Sequence, residues 1–136
     1  MTESTIPNAA AGHKLRVLIA DDSRAVRQSL ARWLESVGTL EIIGQTSDGA
    51  STLDAIRAER PDVVILDLRM PKGNGLDVLE ALRHAAHRPQ VIVLTNFAFP
   101  QYRQLCLDAG ATYFIDKSKE FDQLPQVLEQ LSRASG

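Results

Sequence analysis

Short apolar runs alternate along this chain with longer segments in which apolar residues recur every three or four positions. A short, continuously apolar run that follows turn residues is typical of a strand buried on both faces, and the longer spacing is typical of an amphipathic helix. Five such strands are each followed by a helix. That alternation predicts an α/β fold, in which right-handed crossovers join parallel strands and helices cover both faces of the sheet.

The predicted architecture is a flavodoxin-like (βα)5 doubly wound sheet, and we favour the strand order 2-1-3-4-5. The predicted strands cover residues 15–20, 40–46, 63–66, 91–95 and 112–115. We expect Trp33 and Val37 to lie on the apolar face of the first helix and Leu105 on that of the fourth. The third helix is expected to extend to Ala86.

Length and composition limit what the chain can do. Its 136 residues allow one full hydrophobic core, with a flexible N-terminal tail over residues 1–13 and one domain over residues 14–134. The net charge of −2 offers no basic surface for direct nucleic acid binding. No apolar run approaches the roughly 20 residues of a membrane span. The single cysteine, Cys106, cannot form an internal disulfide, which favours a cytoplasmic location.

Polar side chains follow four of the five predicted strands. Asp21 and Asp22 follow the first, Asp67 the third, Thr95 ends the fourth, and Lys117 comes after the fifth. The carboxyl ends of parallel strands lie at one edge of a sheet, where ligands bind in this architecture. Each residue alone has an ordinary explanation as a helix cap, a turn residue or a solvated charge. Their joint occurrence at successive strand ends favours a functional site.

The chemistry of these side chains suits a phosphoryl group. Three carboxylates in one place repel one another unless a cation is present, and a ligand set made only of oxygens suits Mg²⁺ better than zinc. A lysine and a hydroxyl beside the metal can contact phosphoryl oxygens, while a carboxylate serves as the nucleophile. The chain has no GxxxxGK loop, so we do not expect it to hold a nucleotide as a P-loop does.

On these residues, the chain resembles the receiver domain of two-component response regulators over about residues 14–133. The matching motifs are Asp21-Asp22, Asp67 with Met70-Pro71 and Gly75, Thr95, and Lys117. The resemblance implies a phospho-acceptor switch in a phosphorelay and not an enzyme. Asp67 would accept a phosphoryl group from a sensor histidine kinase or a phosphotransfer protein, and a downstream protein partner would respond. Since few residues follow the last helix, we expect a stand-alone, single-domain receiver.

The resemblance also implies a ligand set for the metal. Asp22, Asp67 and the backbone carbonyl of Arg69 would bind Mg²⁺ directly, and Asp21 would act through water.

The resemblance further implies how the signal is transmitted. Thr95 and Lys117 would contact the phosphoryl oxygens, and Phe114 would be the aromatic residue that changes rotamer. The face around the fourth helix, the fifth strand and the fifth helix would then switch. The chain departs from the family where Ser118 follows the lysine, since proline is common there, often after a cis bond.

Arg69 and Phe97 lie two positions after Asp67 and Thr95. In receiver-like domains, these positions flank the path of the hydrolytic water. Phe97 cannot orient water by hydrogen bonding, and we expect Arg69 to stack on its ring or to pair with a phosphoryl oxygen. The two residues therefore predict slow self-dephosphorylation.

Two alternatives stay open from the sequence. An aspartyl-phosphate phosphatase of the haloacid-dehalogenase type would use similar chemistry, but it needs a second Asp two positions after the nucleophile, where this chain has Arg69. A pseudo-receiver would bind partners without being phosphorylated. The complete acidic set and Lys117 disfavour that alternative.

Overall fold

The structure is a computed structural model that describes residues 14–135, so the predicted tail over residues 1–13 lies outside the described part. Five parallel strands form one sheet in the order β2-β1-β3-β4-β5, which confirms the predicted architecture and strand order. The strands are β1 (Leu15–Ala20), β2 (Leu40–Thr46), β3 (Val63–Leu66), β4 (Gln90–Thr95) and β5 (Tyr113–Asp116). The helices are α1 (Arg24–Glu35), α2 (Gly49–Glu59), α3 (Gly75–Leu82), α4 (Pro100–Asp108) and α5 (Leu124–Ser135), and a 3₁₀ turn (Phe121–Gln123) precedes α5.

The helices cover both faces of the sheet and enclose two hydrophobic cores. One core joins the sheet to α2, α3 and α4, and the other joins it to α1 and α5. Successive strand residues point to opposite faces, so along β3 Val64 and Leu66 enter the first core while Val63 and Ile65 enter the second. This burial on both faces explains why the β3 segment is continuously apolar.

Side chains at the helix N-termini fix where the helices begin. Ser23 accepts a hydrogen bond from the Val26 N–H at the start of α1, and Asp48 accepts one from Ser51 at the start of α2. Asn74 and Asp77 form a reciprocal capping box at the start of α3. These caps place the strand-to-helix loops at the carboxyl edge of the sheet, next to the predicted site.

Several local predictions were wrong. Trp33 on α1 and Leu105 on α4 are 37% and 48% exposed. Val37 is 38% exposed and lies beyond the end of α1 at Glu35. The helix α3 ends at Leu82 and not at Ala86. The β4 strand begins one residue earlier than predicted, at Gln90, and β5 is shifted by one residue, to Tyr113–Asp116.

None of the helices in the described part of the chain is both long enough and apolar enough to cross a membrane.

Candidate metal and phosphoryl site

The tertiary structure brings the predicted strand-end side chains together, because β1, β3, β4 and β5 are neighbours in the sheet. Backbone hydrogen bonds continue just past the strands. The Asp67 N–H donates to the Ala20 carbonyl at 2.9 Å, and the Lys117 N–H donates to the Thr95 carbonyl at 2.8 Å. The residues that carry the functional groups are therefore held by the sheet itself.

Three carboxylates converge at this edge. Asp21, Asp22 and Asp67 each present an oxygen, and the three oxygens lie within 4.8 Å of one another. Asp21 and Asp67 are buried, while Asp22 is exposed and leaves the cluster open to solvent. Oxygen donors around an open position are the ligands that Mg²⁺ prefers, since it retains several waters. The donor set therefore fits this ion.

Lys117 bridges two of the carboxylates. Its ammonium nitrogen lies 2.8 Å from Asp21 Oδ2 and 3.3 Å from Asp67 Oδ2. Burial alone lowers the pKa of Lys117, but the hydrogen bond to Asp21 and the charge of Asp67 outweigh it, and the pKa is raised. Burial raises the pKa of Asp67, and the charge of Asp21 adds to this, although Lys117 opposes it. One ammonium between two carboxylates thus leaves the site with uncompensated negative charge.

Thr95 connects Asp67 to the next loop. Its side chain is fully buried, and a hydrogen bond with Asp67 favours the ionised carboxylate and so lowers the pKa of Asp67. The same hydroxyl oxygen accepts a hydrogen bond from the Phe97 N–H at 3.1 Å. A group added to Asp67 would therefore act directly on a residue that holds the loop before α4.

Comparison with known proteins decides what kind of domain carries this site. The model of the response regulator receiver domain matches residues 17–129. The chain belongs to this family. It is a receiver domain of a two-component response regulator and not a catalytic enzyme, so the phosphatase alternative is wrong. A receiver domain implies a histidine kinase as partner.

Individual relatives agree with this assignment. The transcriptional regulatory protein YvfU of Bacillus subtilis strain 168 is 35% identical over 116 residues, or 85% of this chain and 58% of YvfU. The response regulator MprA of Mycolicibacterium vanbaalenii is 38% identical over 119 residues, or 88% of this chain and 51% of MprA. The chain thus spans little more than half the length of these curated relatives.

A solved structure shows the same similarity in three dimensions. The signal receiver domain of NarL from Mycobacterium tuberculosis has a TM-score of 0.82 to this chain at 29% sequence identity. The match covers 89% of this chain and 98% of the NarL domain.

Arg69 and Phe97 of this receiver domain meet across the mouth of the site. The guanidinium carbon of Arg69 lies 4.5 Å from the centroid of the Phe97 ring, which confirms the predicted stacking contact. Phe97 is half-buried against the core, while Arg69 is exposed. The two side chains therefore lie over the loops that follow Asp67 and Thr95.

Phe114 lies apart from the acidic cluster. It is 5% exposed and packs in the core beneath α4 together with Cys106. The Cys106 thiol is buried in the same core, and this burial raises its pKa to about 11. Cys106 therefore acts as a small core residue. The Phe114 ring is thus buried in the core that lies between the sheet and α4.

The turn that carries Lys117 is formed without proline. Asp116 Oδ1 accepts hydrogen bonds from the Ser118 N–H at 2.9 Å and from the Ser118 hydroxyl at 2.7 Å. Every peptide bond between residues 14 and 135 is trans. In this receiver, hydrogen bonds between the Asp116 carboxylate and Ser118 hold the turn at the position where the family commonly has proline.

Sequence reasoning missed Gly49, and it noted Gly75 only as part of a motif. A Cβ at Gly49 would lie 1.9 Å from the Gly73 carbonyl oxygen, and one at Gly75 would lie 2.5 Å from the Asp67 carbonyl oxygen. The loop after Asp67 is therefore packed backbone against backbone on the start of α2. No local pattern in the sequence signals this contact, because the two glycines it joins are far apart along the chain.

Magnesium should stabilise the domain through the acidic cluster. At ten times its dissociation constant, a ligand that binds only the folded state adds about 1.4 kcal/mol to the free energy of unfolding. For a domain of this size, we expect the melting temperature to rise by about 5 °C. The measurement is thermal unfolding during a MgCl₂ titration. Asp22→Asn should lose most of the shift, and the exposed Asp54→Asn on α2 should retain it. Equal shifts in the two variants would place the ion elsewhere.

Proposed function

We propose that this receiver domain is a phospho-acceptor switch in which Asp67 takes a phosphoryl group from a histidine kinase or a phosphotransfer protein. One observation carries the proposal. The Asp67 carboxylate lies at the end of the central strand, among two further carboxylates and the ammonium group of Lys117. This arrangement also disfavours a pseudo-receiver, for which the buried charges would serve no purpose.

The residues have distinct parts in the transfer. A carboxylate oxygen of Asp67 attacks phosphorus, an oxygen–phosphorus bond forms, the phosphorus–nitrogen bond to histidine breaks, and the imidazole takes up a proton. Asp22, Asp67 and the Arg69 carbonyl would bind Mg²⁺, with Asp21 acting through water. The ion would neutralise charge on the phosphoryl oxygens. Lys117 and Thr95 donate hydrogen bonds to the same oxygens.

Intact mass spectrometry tests the proposal. Incubation with acetyl phosphate and Mg²⁺ should add the mass of one phosphoryl group, and EDTA should prevent the addition. An unchanged mass under both conditions would favour a pseudo-receiver that binds its partners unmodified.

We further propose that the face formed by α4, β5 and α5 changes when Asp67 is phosphorylated and that a downstream protein reads this face. Phe99 and Tyr102 are 54% and 40% exposed on this face, with their rings edge to face at 6.0 Å. Clustered exposed aromatic residues often mark partner sites. Phe97 packs on the core and does not contribute to the exposed cluster.

Thr95→Ala should separate phosphorylation from switching. Asp67 remains available, so the variant should still gain a phosphoryl group. It loses the hydroxyl that bonds both Asp67 and the Phe97 N–H, so the signal should no longer reach the loop. The measurement is the change in amide exchange over residues 96–100 on phosphorylation. Thr112→Ala, at the opposite edge of the sheet, should behave as the parent does. Exchange changes in Thr95→Ala as large as those in the parent would contradict this mechanism.

Arg69 and Phe97 are proposed to prolong the phosphorylated state, because their stacked side chains restrict the approach of water. Phe97→Ala and Arg69→Asn should each shorten the half-life of the phosphoryl group by up to tenfold, a change that needs only about 1.4 kcal/mol in the barrier. The decay of the phosphorylated mass after removal of the donor gives the half-life. Arg57→Asn, which removes an exposed arginine of α2, is the matched control. Half-lives as long as the parent's in both variants would show that the stack does not guard the site.

A further inference from the structure

Arg103 of α4 contacts three groups of β5 and the turn that follows it. Its guanidinium carbon lies 4.9 Å from the centroid of the Phe114 ring. One terminal nitrogen donates to the Phe114 carbonyl at 3.1 Å, and the other donates to Glu120 Oε1 at 3.0 Å. A planar guanidinium can make these contacts together, whereas a lysine ammonium cannot.

Glu120 extends these contacts to the turn that carries Lys117. The oxygen that faces Arg103 also accepts the Asp116 N–H at 2.9 Å, and the Glu120 N–H donates to the Asp116 carbonyl at 2.7 Å. The hydrogen bond from the Asp116 N–H lowers the pKa of Glu120, and Arg103 adds to this effect, so the carboxylate stays charged opposite Arg103. Since Asp116 immediately precedes Lys117, one continuous set of contacts links α4 to the lysine of the site.

Burial of Phe114 is the second consequence of these contacts. Phe114 lies beneath α4, and Arg103 covers it from the solvent side while remaining partly exposed itself. The ring cannot swing outward without displacing the guanidinium. In the same arrangement, the Lys117 ammonium lies 2.8 Å from Asp21 Oδ2 and 3.3 Å from Asp67 Oδ2. The Arg103 contacts therefore favour the conformation in which the acceptor site is fully assembled.

We propose that Arg103 is a positioning residue that keeps Phe114 buried and fixes the Lys117 turn, so that the acceptor site stays assembled. The inference deepens the proposed phospho-acceptor function and rests on it for its effect on rate. The effect on Phe114 is independent of that function.

The test compares Arg103→Gln with Arg133→Gln. The control variant also loses an arginine–glutamate pair, the 2.7 Å contact with Glu129 on α5, but that pair lies away from Phe114. Fluorine NMR of protein labelled with fluorophenylalanine, with the Phe114 signal assigned by Phe114→Leu, measures the accessibility of the ring to a soluble paramagnetic probe. The rate of mass gain with acetyl phosphate and Mg²⁺ measures phosphorylation.

In Arg103→Gln, we expect the accessibility of Phe114 to rise about threefold and the phosphorylation rate to fall by a similar factor. Changes of about this size are expected for the loss of one partly exposed cation–π contact. Arg103→Lys, which retains the charge alone, should fall between Arg103→Gln and the parent, and Arg133→Gln should match the parent. Unchanged Phe114 accessibility in Arg103→Gln overturns the inference. If the parent gains no phosphoryl mass, the proposed function fails, and Phe114 accessibility still decides the role of Arg103.

Discussion

Replacing Asp67 by Asn should abolish the phosphoryl adduct and leave the fold intact. The amide has the shape of the carboxylate but lacks its nucleophilic charge, so it cannot form the acyl phosphate. Intact mass after incubation with acetyl phosphate and Mg²⁺ measures the loss. Asp54→Asn, which removes an exposed carboxylate of α2, should be phosphorylated like the parent. A full adduct on Asp67→Asn would assign the acceptor to another residue.

The same variant should unfold at a higher temperature than the parent near neutral pH. Burial and the neighbouring Asp21 raise the pKa of Asp67 in the folded state, so ionisation of Asp67 costs folding free energy at every pH above that raised pKa. The cost shrinks as the pH falls below the raised value and is gone once the pH is below the ordinary carboxyl pKa of the unfolded chain, because Asp67 is then neutral in both states. The difference in melting temperature between Asp67→Asn and the parent should therefore shrink on acidification in the absence of Mg²⁺. A difference that widens would contradict the raised pKa.

Gly49→Ala should destabilise the domain by about 3 kcal/mol, the upper end of the usual cost of overpacking, because the added Cβ meets backbone atoms that cannot rotate away. It would lie 1.9 Å from the Gly73 carbonyl oxygen and 2.8 Å from the Gly73 Cα. Relief requires the loop after Asp67 to move off α2. That movement breaks the hydrogen bonds from the Gly49 and Ala50 N–H groups to the Pro71 and Lys72 carbonyls. We expect the melting temperature to fall by about 10 °C.

Gly38→Ala is the matched control for this prediction. Among residues 14–135, no atom apart from those of Gly38 and its two chain neighbours lies within 4 Å of a Cβ built at Gly38, so the change should be neutral or slightly stabilising through the unfolded state. A loop displaced in Gly49→Ala should also weaken the stabilisation by Mg²⁺, since the loop includes Arg69, whose carbonyl is a proposed ligand. Equal melting temperatures for the two variants would show that the loop yields without cost.

Local patterns along the chain were enough to predict the fold and the side chains that meet at one edge of the sheet. Continuous apolar runs such as Val63–Leu66 can be satisfied only by a strand covered on both faces, and this requirement with the alternating helices leads to the parallel sheet. In such a sheet all carboxyl ends share one edge, so Asp21, Asp67 and Lys117 had to come together once the strand order was right. These predictions succeeded because periodicity and side-chain chemistry are local properties of the chain.

The way each of these groups is held depends on tertiary contacts. Helical spacing placed Trp33 and Leu105 on apolar faces, but it does not set how much of each face the sheet covers. No pattern in the sequence singles out Arg103, whereas the fold places it over Phe114 and beside Glu120. The contact between Gly49 and Gly73 depends on the approach of two backbone segments. Such contacts join residues far apart in the chain, and their distances depend on the packing of every intervening element, which no local pattern records.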